Sequence, residues 1–205
     1  MKPINTYPRF RQVMRRVIAL LIVGCSFFAT AIAAKEHTAT LNFVEMFREG
    51  GQRFCCTVDF PEAQCRKELS VIRDLLSTYH GDDLGPWNWI LVFSSDWKPL
   101  LQGLGLHITS PGITSILDRV TLLEESLFAA SPRRATELLL EYKQPLEHLL
   151  ERTLTHELGH AFCSAWEESF AEEAAREIRN GIRPHCGGDS PSMRAFARIT
   201  ERRFK

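Results

Sequence analysis

The sequence has no run of like charge, no internal repeat and no excess of either sign, with 25 basic and 25 acidic residues in a chain of 205. The missing repeat excludes a solenoid or array, and the missing charge block excludes a polyionic tail. At 44% hydrophobic and 24% charged residues the composition is that of a globular protein, which excludes disorder outside the ends. Nor is there length for two large domains: 205 residues make one ordinary domain that buries most of its apolar surface.

One absence is local. The first 34 residues hold no acid, only Lys2, Arg9, Arg11, Arg15 and Arg16, and then the 18-residue apolar run VIALLIVGCSFFATAIAA ahead of Lys35-Glu36. That is the layout of a secretory signal, with Ala31-Ile32-Ala33 as its Ala-x-Ala cleavage site, so the expected organisation is a signal over 1–33 and one domain over 34–205. Two rival readings remain. The run just reaches the length of a membrane span, which allows an uncleaved anchor with its basic end in the cytoplasm. Ile22-Val23-Gly24-Cys25 also resembles a lipobox, which would put a lipid on Cys25, although the run continues for nine residues beyond it.

Export changes the charge. Without residues 1–33 the chain keeps 20 basic against 25 acidic residues, a formal charge of −5, which excludes nucleic acid as an electrostatic partner. The expected localisation is secreted, periplasmic or cell envelope, with membrane anchoring as the alternative. An oxidising compartment turns cysteines into disulfide formers. Five remain: Cys55, Cys56, Cys65, Cys163 and Cys186. Cys65 is expected to pair with Cys55 or Cys56 across a short loop, and Cys163 with Cys186, leaving one thiol over. The alternative is that some are simply buried apolar residues.

Hydrophobic spacing sets the elements. Asp59 and Pro61 open a helix on which Cys65, Leu69, Ile72, Leu76 and Tyr79 recur at helical intervals up to Gly81. The turn-rich stretch 81–86 separates it from WNWILVFSS, a buried strand. A short helix over Asp96–Leu104 follows, then a strand or hairpin over 113–123, then a helix from Ser131-Pro132 to Lys143. Pro145 suits the first turn of another helix, along which Leu146, Leu149, Leu150, Leu154 and Leu158 form an apolar stripe. Ser190-Pro191 opens a basic amphipathic tail over 190–205, read as a helix packed on the domain rather than on a membrane surface. This order of helices and strands predicts a single α+β domain.

The last apolar stripe carries into His156-Glu157-Leu158-Gly159-His160. Residues four apart share a helical face, so both imidazoles can reach one ion. Zinc suits imidazole, and a catalytic zinc site uses three protein ligands with one position open. Glu157 would then act as general base for the attacking water. By composition such a pattern arises about 0.02 times by chance in a chain of this size, so it is informative. The bland reading is two surface histidines on a helix; His148 is read that way, as a solvated residue. Gly159 costs about 0.8–1.0 kcal/mol against alanine inside a helix, which a close packing contact would explain.

At THELGHAF, residues 155–162, the chain resembles the active-site helix of the zincin metallopeptidases, and ESFAEEAA at 168–175 resembles the second helix of the gluzincins, whose third ligand is a glutamate. The metzincin pattern is absent, since Ala161, Phe162, Cys163, Ser164, Ala165 and Trp166 follow His160 without its glycine and histidine. The resemblance covers about 20 residues and is confined to these motifs. It implies a zincin-like fold with a small mixed sheet, zinc as cofactor, a peptide or protein substrate, His156, His160 and Glu168 as zinc ligands, Glu157 as catalytic base, and Glu172 as an acid holding a ligand histidine.

Reach tests the last two roles. In an unbroken helix Glu168 would stand about 12 Å along the axis from His160, too far to share an ion. A reversal within Cys163–Trp166 would bring Glu168 level with His160 and Glu172 level with His156, although no glycine or proline marks it. Glu167, Glu172 and His185 remain substitutes for the third ligand, and EESFAEEAAREI also reads as an amphipathic helix with a solvated acidic face. Many gluzincins stabilise the oxyanion with a tyrosine or histidine, for which Tyr142 and His185 are candidates. The strand region 113–123 would supply the edge that pairs with an extended substrate. The expected function is that of a zinc metallopeptidase; the alternative is a non-catalytic exported zinc-binding module with a structural or interaction role.

Overall fold

The computed structural model describes residues 42–186. The leader with its cleavage site and Cys25, and the basic tail over 190–205, lie outside the described residues. Among those residues no helix is long and apolar enough to cross a membrane.

The strands are β1 (Phe43–Glu49), β2 (Gln52–Thr57), β3 (Asn88–Val92), β4 (Gly112–Ser115) and β5 (Val120–Glu124). The helices are α1 (Glu62–Thr78), α2 (Ser94–Leu104), α3 (Ser126–Ala129), α4 (Pro132–Tyr142), α5 (Leu146–Cys163) and α6 (Glu168–Arg179). All five strands form one sheet in the order β1-β2-β3-β5-β4. Its three central strands run parallel and each outer strand is antiparallel to its neighbour. Mixed helix and strand content is therefore as expected, with strands and helices interleaved because parallel neighbours need crossovers.

Period-two alternation divides the core. Phe54, Cys56, Trp89, Leu91 and Leu123 face the side packed by α1, α5 and α6. Cys55, Ile90, Val92, Val120 and Leu122 face the side covered by α2. A strand covered on both faces reads as an unbroken apolar run, which is why β3 was legible. The β1–β2 hairpin was not anticipated. Its register pairs Glu49 with Gln52, leaving Gly50 and Gly51 as a two-residue loop with φ of 56° and 84°. That double positive φ is the type I′ geometry glycine supplies at least cost.

Between the two pairings open to Cys65, the fold forms Cys56–Cys65, tying β2 to α1. Cys163 pairs with Cys186 as expected. The 113–123 region is the β4–β5 hairpin, and β4 is the free edge beside α5. Behind it lies a buried ion pair. Arg134 Nε donates to Glu124 Oε1 at 3.0 Å and its Nη2 to the Thr109 carbonyl at 3.2 Å, fixing the loop that leads into β4.

A second buried carboxylate is less well served. Gln64 Nε2 donates to Glu68 Oε1 at 2.9 Å and to Glu125 Oε1 at 3.0 Å, while Glu68 Oε2 has no partner among the described residues. Burial, with the Glu125 charge adding to it, pushes the Glu68 carboxyl up to about 7. The folded state holds this proton more tightly than the unfolded chain, so the group weakens the fold progressively as pH rises from its ordinary range towards 7. The gain in stability of Glu68→Gln over the native protein should grow by on the order of 1–3 kcal/mol between pH 5 and pH 8. Urea midpoints at the two pH values measure the difference, and equal gains at both would refute the cause.

Candidate metal centre

Pro145 caps α5 and leaves the helix to begin at Leu146. Leu149, Leu154 and Leu158 are fully buried and set the helix against the sheet. An adjoining face carries Arg152, Thr153, His156, Glu157 and His160 into a cavity of about 990 Å³. The helix ends at Cys163, and Ser164 takes a left-handed conformation with φ 47° while Ala165 N donates to the His160 carbonyl at 3.2 Å. Residues 164–167 reverse the chain without glycine or proline, and α6 returns from Glu168.

Gly159 is where the returning helix crosses. A Cβ at this position would lie 2.3 Å from the Ala171 carbonyl oxygen, so only a glycine lets the two backbones approach. Gly159→Ala should lose about 1–3 kcal/mol to overpacking, more than the ~1 kcal/mol it gains in helix propensity. A lowered denaturant midpoint is the expected reading; an unchanged one would show that the helices part freely.

The reversal brings three donors together. His156 Nε2 stands 2.9 Å from Glu168 Oε2, His160 Nε2 stands 3.6 Å from the same oxygen, and the two Nε2 atoms are 3.2 Å apart. Ligands of a tetrahedral zinc at about 2.0–2.2 Å stand about 3.3–3.6 Å from one another, so this triangle has the size of one face of such a site. Each histidine is oriented from behind. His156 Nδ1 donates to Glu172 Oε2 at 3.3 Å and His160 Nδ1 to the Ala165 carbonyl at 2.7 Å. With Nδ1 so engaged, a neutral ring turns its Nε2 lone pair towards Glu168. Glu172 is held in turn by Arg179, whose Nη2 donates to Oε1 at 3.0 Å and whose Nη1 donates to Thr155 Oγ1 at 2.8 Å.

Charge follows this geometry. The hydrogen bond from His156, with the His160 imidazole close by, holds the Glu168 carboxyl well below its ordinary range. Burial works to lower both imidazoles, but Glu168 and Glu157 outweigh it, leaving His156 raised and His160 at about 9. A cation would displace those protons and take over the balancing charge. Glu157 is 5% exposed, and burial pushes its carboxyl up against the pull of His160, His156 and Thr114. Its Oε2 is buried with no partner among the described residues. Gly112 on β4 makes room for it, since a Cβ there would meet Glu157 Oε1 at 2.7 Å.

The residues read from the sequence thus assemble in part. His156, His160 and Glu168 form a group able to hold a metal ion, with all ligand atoms within 4.8 Å of one another. Glu167 caps α6 outside this group, and Glu172 stands behind His156. His185 is exposed against Glu177 and takes no part. Tyr142 lines the cavity, where burial pushes its hydroxyl up to about 12. Arg179, Thr155 and Gly112 were not singled out from the sequence; the one available signal is that Arg179 follows Glu172 by two helical turns.

Comparison of the chain with protein-family models, with curated proteins and with solved structures returns no match.

Proposed function

We propose that this protein is a zinc-dependent peptidase of gluzincin type with a zincin-like fold, exported to an oxidising compartment. The observation that carries the reading is the convergence of His156 Nε2, His160 Nε2 and Glu168 Oε2 beside a buried carboxylate, Glu157, on the wall of an open cavity. Zinc held by these three donors would supply a Lewis acid for a carbonyl and lower the pKa of water. Glu157 would take the proton of the attacking water and return it to the leaving amine. β4, at the sheet edge, offers backbone groups to an extended chain.

The cavity weighs against a closed structural site, which would surround its ion with four protein ligands. Two disulfides support export. The test is direct: purified protein should hold about one zinc per chain and hydrolyse members of a mixed peptide library, with activity lost to a chelator and restored by zinc. Absence of zinc after loading would sink the reading. Tight zinc without turnover on any peptide would favour the binding module.

A further inference from the structure

We propose that Cys163 and Cys186 are positioning residues for the third donor: their disulfide holds Glu168 on the two imidazoles, so the site is complete in the oxidised protein and incomplete in the reduced one. This rests on the metal-site reading above and adds a control to it.

The bridge is placed for that task. Cys163 is the last residue of α5, three residues after His160, and its partner lies 23 positions on. Between the two sulfurs lie the Ser164 reversal, Glu168, Glu172 and Arg179, the carboxylates that meet the imidazoles and the arginine that holds one of them. The reversal includes a non-glycine residue at positive φ and is tied to α5 at Ala165, whose N donates to the His160 carbonyl and whose carbonyl accepts His160 Nδ1. Glu168 sits in the first turn of α6, its side chain 81% exposed, and its carboxylate is anchored on the imidazoles themselves. After α6 the chain turns at Gly181, Ile182 N donates to the Glu177 carbonyl at 2.9 Å, and the Glu177 carboxylate accepts His185 N at 2.7 Å. These bonds fold the tail back over α6 and carry Cys186 to the far end of α5.

Opening the bridge would leave the rest of the helical hairpin in place. Gly159 against Ala171 and Arg179 against Thr155 hold its middle and its other end. What loosens is the turn that places Glu168. Access differs between the two disulfides: Cys56 and Cys65 are both 0% exposed, whereas Cys163 is half-buried and Cys186 exposed. A mild reductant therefore reaches the bridge at the metal centre first. With a water-soluble phosphine the step balances: phosphorus attacks one sulfur, the S–S bond breaks, water supplies the oxygen of the phosphine oxide and two protons, and two thiols form. A dithiol protein in a reducing compartment would do the same by becoming a disulfide, so the chain would complete its metal site only where disulfides persist.

The experiment uses the full oxidised chain, the same protein after phosphine treatment, and Cys163→Ser with Cys186→Ser, which removes the thiols that could themselves bind metal. Zinc affinity by chelator competition, the visible spectrum of the cobalt form, far-ultraviolet circular dichroism and amide exchange are read on each. The expected result is a fall of about 10–100-fold in zinc affinity with a changed cobalt spectrum, unchanged helix content, and faster exchange at the amides of Ala165, Phe170 and Ala171. Reoxidation should restore the treated protein and leave the double variant unchanged. Affinity of the variant within twofold of the oxidised protein would overturn the inference and leave the peptidase reading standing. If the oxidised protein takes no zinc, the peptidase reading fails, and exchange at those three amides decides the positioning role: equal rates overturn it.

Discussion

On the proposed peptidase reading, Glu157→Gln should keep its zinc and lose turnover by about 10²–10⁴-fold, the usual contribution of a positioned base. The substitution is close to isosteric, so the contact beside Gly112 is preserved and the helix face is undisturbed. None of the three converging donors is changed. What is lost is the capacity to accept a proton, because an amide oxygen is too weak a base. The measurement pairs metal content with kcat on the best library peptide. Retention of a tenth or more of native kcat would remove Glu157 from the reaction, and loss of zinc together with activity would make it a structural residue.

A second large effect separates the two acids of α6. Glu168→Gln removes the charge from the donor that meets both imidazoles and should cost more than about 100-fold in zinc affinity, exceeding the 10–100-fold typical of residues that only orient a ligand. Glu172→Gln should fall within that lower range, since it acts on His156 Nδ1 and not on the ion. It should also release Arg179, which would keep Thr155 but lose its carboxylate partner. Competition with a chromogenic chelator gives both values. Equal losses would mean that the two acids share the ion, and a harmless Glu168→Gln would return the third position to an open question.

Much of the centre was legible because one argument of reach sufficed. Two histidines four apart fix a helical face, and a rise of 1.5 Å per residue forbids Glu168 from joining them unless the chain reverses. The break at Ser164 satisfies that requirement. Gly159 was legible as a packing contact because nothing else recompenses a glycine in mid-helix. Arg179 and Thr155 were not, because which side chains meet across two helices depends on how closely and at what angle they pack, and spacing along one helix is silent on that. Gly112 was hidden for the same reason: its role is to leave space for a residue 45 positions away. In the sheet, β3 announces itself as an apolar run, whereas β4 and β5 were legible only as one strand or hairpin region over 113–123. β1 does not announce itself, since Phe43 is buried and Val44 exposed while the next three residues are all intermediate, and only the paired glycines mark its hairpin.

The buried Oε2 of Glu157 also bears on how such a chain can change. A carboxylate oxygen shut away without a donor costs about 1–3 kcal/mol, a large share of the margin by which a domain of this size stays folded. A sequence chosen for heat resistance alone would replace Glu157 early, with an apolar residue of similar volume that fills the same space against Gly112 and Thr153. On the proposed reading, the hardiest variants of this protein would then be the ones that lack the general base.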